Sequence, residues 1–100
     1  MVLEAAVLQV WAGEDSAFEE AMVKAAPIIA GSSGYIGHQL QRCIETNGRY
    51  LLLVRWETLE AHTVGFRQSP AFAEWRAVIQ PFFASAPVVE HYECALTWPR

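Results

Sequence analysis

Residues 50–83 read YLLLVRWETLEAHTVGFRQSPAFAEWRAVIQPFF, and this stretch decides the fold. Tyr50, Leu52, Val54 and Trp56 recur at the two-residue period of a strand, with Leu51 and Leu53 on the opposite face. After Trp56 the period changes. Thr58 is placed to cap a short helix from Leu59 to about Arg67, on which Leu59, His62 and Phe66 share one side. Ser69-Pro70 then starts a second helix, because a proline at the first helical position gives up an N–H that has no partner there. It runs to about Ala84, with Phe72, Trp75, Ile79 and Phe83 in its apolar stripe and Arg76 at the edge.

Upstream, Arg49–Trp56 pairs with a preceding strand, Tyr35 to Glu45, through Thr46-Asn47-Gly48, since Asn-Gly tolerates the positive φ of a tight hairpin. Gly31 to Gly34 is a loop. Before it lies a helix ending near Ala30, with Phe18, Ala21, Met22, Ala25 and Ile29 as its buried stripe. Ser16-Ala17-Phe18-Glu19 has the form of a capping box, and Pro27 predicts a kink or an early end near Ala26. Val2 to Trp11 suits a strand, with Leu3, Ala5, Val7 and Trp11 on one face and Glu4 interrupting the other. Beyond Pro87, Val88 to Leu96 alternates as a last strand. The order strand, helix, strand, strand, two helices, strand predicts a single α+β domain over residues 1–100. It is the ferredoxin-like split β-α-β, a four-stranded antiparallel sheet with helices on one face. Its other face, with Leu51 and Leu53, calls for a second sheet, which a homodimer supplies.

Composition agrees. Hydrophobic residues make up 53% and charged residues only 18%, so apolar surface is left over for a partner. A net charge of −4, with seven Lys plus Arg scattered singly, offers no basic stripe, and nucleic acid is not expected as a ligand. No apolar run reaches the roughly 20 residues that cross a bilayer, and Met1-Val2-Leu3-Glu4 lacks a signal-peptide layout, so a cytoplasmic protein with no membrane association is expected. Cys43 and Cys94 read as reduced thiols on opposite edges of the sheet. His38, His62 and His91 fall on separate elements without zinc spacing, so no metal is expected. His91 and Glu93 share a face of the last strand, read as solvated or at the dimer interface.

Trp56-Glu57-Thr58-Leu59-Glu60-Ala61-His62, Phe66-Arg67-Gln68-Ser69-Pro70-Ala71-Phe72 and Pro81-Phe82-Phe83 form an ordered set, joined by Gly34-Tyr35-Ile36-Gly37 and Val89-Glu90-His91-Tyr92-Glu93. It resembles the antibiotic biosynthesis monooxygenase family. The resemblance implies a dimeric α+β barrel of two back-to-back sheets, with one ligand pocket per subunit between sheet and helices. Some members oxidise polycyclic phenols or quinols with molecular oxygen and no metal or flavin, so no cofactor is expected; others degrade haem. Phenol-oxidising members carry an asparagine four residues before the tryptophan, where this chain has Leu52, and tend to have tyrosine where His62 stands. Haem-degrading members use a histidine on the last helix, and none lies between Pro70 and Ala84.

The residues themselves point to the same pocket. Leu52, Val54, Phe66, Phe72 and Trp75 are its expected apolar wall, the lining for an aromatic or quinone-like ligand, and Trp56, His62 and Arg76 are its polar groups. For phenol oxidation His62 suits the base, Arg76 the cation that holds the phenolate, and Trp56 a stacking surface or N–H donor. Each also has a purely structural reading. Trp56 serves as packing, His62 as a satisfied histidine, and Arg76 as a stem over the apolar face with its head in water or paired with Glu74 or Glu90.

Overall fold

The alternation of the third strand is realised residue by residue. In the computed structural model, which describes residues 1–99, β3 (Arg49–Trp56) buries Tyr50, Leu52, Val54 and Trp56 and leaves Leu51 and Leu53 half-buried on the other face. β1 (Val2–Gln9) lies antiparallel to it, Glu4 opposite Val54 and Ala6 opposite Leu52. The edges are β2 (Tyr35–Arg42), beside β3, and β4 (Val88–Tyr92), beside β1, giving the order β2-β3-β1-β4 with every pair antiparallel. This is the ferredoxin-like α+β arrangement. On β1 the face that Glu4 interrupts is the inner one: Glu4, Ala6, Leu8 and Val10 are buried, whereas Leu3, Ala5 and Val7 lie on the open face.

Helix α1 (Asp15–Ala30) covers the sheet with the expected stripe of Phe18, Ala21, Met22, Ala25 and Ile29. It departs from expectation at both ends. Its N-cap is Glu14, with no side-chain cap, so the capping box does not form. Glu19 instead reaches β2 and β3, accepting hydrogen bonds from Arg42 at 2.6 Å and from the Tyr50 hydroxyl at 2.6 Å. Those partners hold the Glu19 carboxyl below its ordinary range, and burial together with Glu19 pushes the Tyr50 phenol up to about 12. Nor does Pro27 end the helix. It lies on the solvent side with Val23, whose carbonyl water can satisfy in place of the missing N–H.

The hairpin between β2 and β3 is longer than predicted. β2 stops at Arg42, residues 43–48 form the connection, and Gly48 alone takes a positive φ, 74°. Further on, Thr58 Oγ1 does accept from the Ala61 N–H, at 3.1 Å. The segment that follows is not an ordinary helix: Ala61–Phe66 is a π-helix, called π1 here, in which the Arg67 N–H donates to the His62 carbonyl five residues back. Such wide turns mark functional sites more often than plain α-helix does. His62 and Phe66 are buried together, as in the predicted stripe, whereas Leu59 lies on the exposed side. α2 (Pro70–Ile79) ends earlier than Ala84 because Pro81 forces a tight 3-10 turn at Gln80–Phe82. β4 likewise ends at Tyr92.

Candidate functional site

A cavity of about 560 Å³ opens between the inner sheet face and the helices, within the range of small-molecule sites. Six of the predicted residues line it: Leu52 from β3, His62 and Phe66 from π1, and Phe72, Trp75 and Arg76 from α2. Val54 and Trp56 do not. Both are fully buried, in the layer of core behind the wall, so neither presents a side chain to the cavity.

What Trp56 touches instead is the polar centre of the site. Its indole N–H donates to Glu4 Oε1 at 3.0 Å, and its ring stacks on the His62 imidazole, 5.3 Å between centroids and 20° between planes. His62 Nε2 lies 3.3 Å from the same Oε1, and its Nδ1 lies 2.8 Å from Nε2 of His91. Both nitrogens of His62 are thus engaged within the protein, and none is free for a ligand. Glu4 itself is 7% exposed and lines the cavity. Its contacts with Trp56 and His62 both fall on Oε1, and no buried side-chain oxygen or nitrogen among the described residues lacks a partner, so Oε2 is the atom open to the space.

Burial dominates the electrostatics. It raises the Glu4 carboxyl above its usual value, opposed by the Trp56 hydrogen bond and then by the Arg67 charge. It lowers His62 to about 4, with Arg67 and His91 adding to the effect, so the imidazole is neutral near pH 7 and its 3.3 Å contact with Glu4 is not an ion pair. Among the described residues no group of three His, Cys, Asp or Glu side chains is arranged to hold a metal ion; Glu4, His62 and His91 run in a line rather than converging on a point.

Arg76 lies at the rim. Its guanidinium donates to Gln80 Oε1 at 3.1 and 3.2 Å and sits over the Phe72 ring at 5.6 Å, paired with neither Glu74 nor Glu90. The cation whose field reaches Glu4, His62 and His91 is Arg67, which directly follows π1 and also lines the cavity.

Glu4, Arg67 and His91 are the members of this arrangement that the sequence reading left out. For Glu4 a signal existed, a lone carboxylate on the alternating face that carries Ala6, Leu8 and Val10. His91, expected to be solvated or at an interface, turns inward with Val89, the other half-buried residue of β4; Glu93 lies past the strand's end.

Comparison with known proteins bears on the same region. The sequence model of the antibiotic biosynthesis monooxygenases matches residues 1–78. An uncharacterised Bacillus subtilis protein, YczJ, is 50% identical over 93% of this chain and 98% of its own length. A Bordetella bronchiseptica protein described as a candidate antibiotic biosynthesis monooxygenase is 39% identical, superposes with a TM-score of 0.92, and is matched over 97% of its chain by 95% of this one. At 21% identity SnoaB of Streptomyces nogalater, a cofactor-independent oxygenase, shares the fold with a TM-score of 0.76 over 99% of this chain and 97% of its own.

Proposed function

The chain belongs to the antibiotic biosynthesis monooxygenase family, and on that premise we propose that it is a cofactor-independent monooxygenase oxidising an electron-rich phenol or quinol with molecular oxygen. The observation that carries this reading is a single buried carboxylate opening into a largely apolar cavity with two arginines in its lining. Glu4 Oε2 takes the proton of the substrate hydroxyl, and burial tunes its basicity upward toward the working range of a general base. Trp56 and His62 hold Oε1, so the free oxygen keeps one direction. His62 is therefore a positioning residue rather than the base. Arg67 and Arg76 steady the phenolate, while Leu52, Phe66, Phe72 and Trp75 orient its rings and exclude water. The electron-rich anion attacks oxygen through a ring carbon. One oxygen atom stays as a quinone oxygen, and the other leaves as water with the two hydrogens the substrate has lost.

Oxygen uptake with a panel of phenols and quinols tests this. Glu4→Gln is expected to lower turnover by about 100-fold or more, the ordinary share of a general base, and His62→Ala by less. Equal uptake by wild type and Glu4→Gln removes the carboxylate from the reaction.

A second reading, a non-catalytic protein that binds a small apolar molecule, is favoured by Leu52, an apolar side chain in the wall where the phenol-oxidising relatives have an asparagine. Tight binding of aromatics with no oxygen uptake by the wild type selects it. Either reading includes a homodimer closed over the open sheet face, where Val7, Val88 and Tyr92 are exposed beside Leu51 and Leu53. A cytoplasmic location completes the proposal, supported by Cys43 and Cys94, both free. No helix among the described residues is long and apolar enough to cross a membrane.

A further inference from the structure

We propose that Glu4, His62 and His91 form a proton conduit that joins the cavity to solvent at the edge strand β4, with His91 as its outer end. The inference rests on the reading of Glu4 as the cavity's proton acceptor and extends it beyond the residues that line the space. Two observations carry it. The 3.3 Å contact of Glu4 Oε1 with His62 Nε2 and the 2.8 Å hydrogen bond of His62 Nδ1 with His91 Nε2 are head to tail, so each group uses one atom inward and another outward. In addition, the first two members line the cavity whereas His91 does not; it sits half-buried on an edge strand.

A neutral imidazole donates from one nitrogen and accepts at the other, so the line has two polarities. With Glu4 ionised, His62 donates from Nε2 to Glu4 and His91 donates from Nε2 to His62 Nδ1. With Glu4 protonated on Oε1, the carboxyl donates to His62 Nε2, His62 donates from Nδ1 to His91 Nε2, and the proton of His91 is on Nδ1. From the second state one proton crosses without any side chain moving. The substrate's proton arrives at Oε2, that of Oε1 passes to His62 Nε2, that of His62 Nδ1 passes to His91 Nε2, and that of His91 Nδ1 goes to water. One proton enters and one leaves. Run backward, the same line returns a proton to the oxygenated substrate. Trp56 has no part in this transfer, because an indole N–H donates and cannot accept.

The groups facing the line are few. β1 brings Glu4, β3 the uncharged Trp56, π1 and its end His62 and Arg67, β4 His91, and α2 the rim residue Arg76; α1 gives the cavity only Ile29, and β2 gives it nothing. Arg67 is thus the cation that biases the line, favouring the polarity with Glu4 ionised.

The test is NMR of protein labelled with 15N-histidine, in which each ring nitrogen reports whether it carries a proton, with assignment by substituting each histidine in turn. In wild type the His62 proton is expected on Nε2 when Glu4 is ionised and on Nδ1 once falling pH protonates Glu4, with the proton of His91 moving from Nε2 to Nδ1 in step. Glu4→Gln, which accepts but cannot ionise, is expected to keep His62 in the Nε2–H form throughout. In His91→Gln, exchange of the His62 ring proton with solvent is expected to slow by about tenfold or more. A His62 tautomer that is the same in wild type and Glu4→Gln at every pH, a His91 that does not follow His62, or unchanged exchange in His91→Gln overturns the conduit. None of these readouts needs turnover, so failure of the oxygenase reading, seen by oxygen uptake, is distinguishable from failure of the conduit.

Discussion

Trp56 and Glu4 meet on a diagonal of the β1–β3 pair: Glu4 stands opposite Val54, and the indole two residues along reaches back to donate to Glu4 Oε1 at 3.0 Å. A buried carboxylate is costly, and this donor is the leading influence that keeps its acidity from falling further. Trp56→Phe retains much of the packing and removes the donor. The expected loss of stability is about 2–4 kcal/mol, from an unsatisfied buried acceptor and a small cavity. Urea unfolding of Trp56→Phe, Glu4→Gln and the double variant measures it. A coupling energy near zero between the two sites would show that the hydrogen bond contributes nothing beyond packing.

The close approach of Gly34 to π1 carries a second expectation. Gly34 has φ 84°, and a Cβ placed on it would lie 2.6 Å from Cβ of Ala61, the first residue of π1. Gly34→Ala therefore combines backbone strain with a clash against the segment that holds His62, and is expected to cost at least about 1–3 kcal/mol. Adding Ala61→Gly relieves the contact but not the φ, so the pair should recover part of the loss. Full recovery in thermal unfolding would mean that φ strain is negligible there.

Much of this architecture was legible because it depends on short-range pattern. The alternation of Tyr50, Leu52, Val54 and Trp56 assigns the inner face, the change of period at Thr58 marks the helices, and the element order leaves few topologies. What stayed hidden depends on pairs distant in the chain. The Glu4 side chain is disguised as a flaw in a strand until Trp56, His62 and His91 are brought around it, and the capping-box reading of Glu19 failed because Arg42 and Tyr50 offered its carboxylate stronger partners. The π-helix was invisible for another reason: no local residue preference distinguishes it from a short α-helix, and only the hydrogen bond from the Arg67 N–H to the His62 carbonyl, five residues back, reveals it.

His62 makes stability depend on pH, and the sign is set by its depressed pKa. Folding holds the imidazole neutral down to about 4, against 6.5 for the ordinary group, so between these values the unfolded chain binds more protons. The stabilisation is fully present above pH 6.5 and is lost as pH falls toward 4, on the order of 3 kcal/mol in all. Glu4, raised above its ordinary value, has the opposite slope, since its cost grows as pH rises through the folded pKa. Comparing wild type with His62→Gln isolates the histidine. Their difference in urea midpoint is expected to shrink as pH is lowered from 6.5 to 4, and a constant difference would contradict the shift.

On the sheet's uncovered side, Leu53 of β3 pairs with Ala5 of β1, and Val7 beside them is 41% exposed. These side chains point away from the cavity, so a charge introduced there tests association without touching Glu4 or His62. Leu53→Lys would place an ammonium against a second apolar sheet, at a desolvation cost of several kcal/mol in a dimer and little in a monomer. Sedimentation equilibrium is expected to show a dimer for wild type and a monomer for Leu53→Lys, with the circular dichroism of both chains alike. A wild-type chain that sediments as a monomer at every concentration would remove the dimer from the proposal while leaving the cavity and its carboxylate as they are.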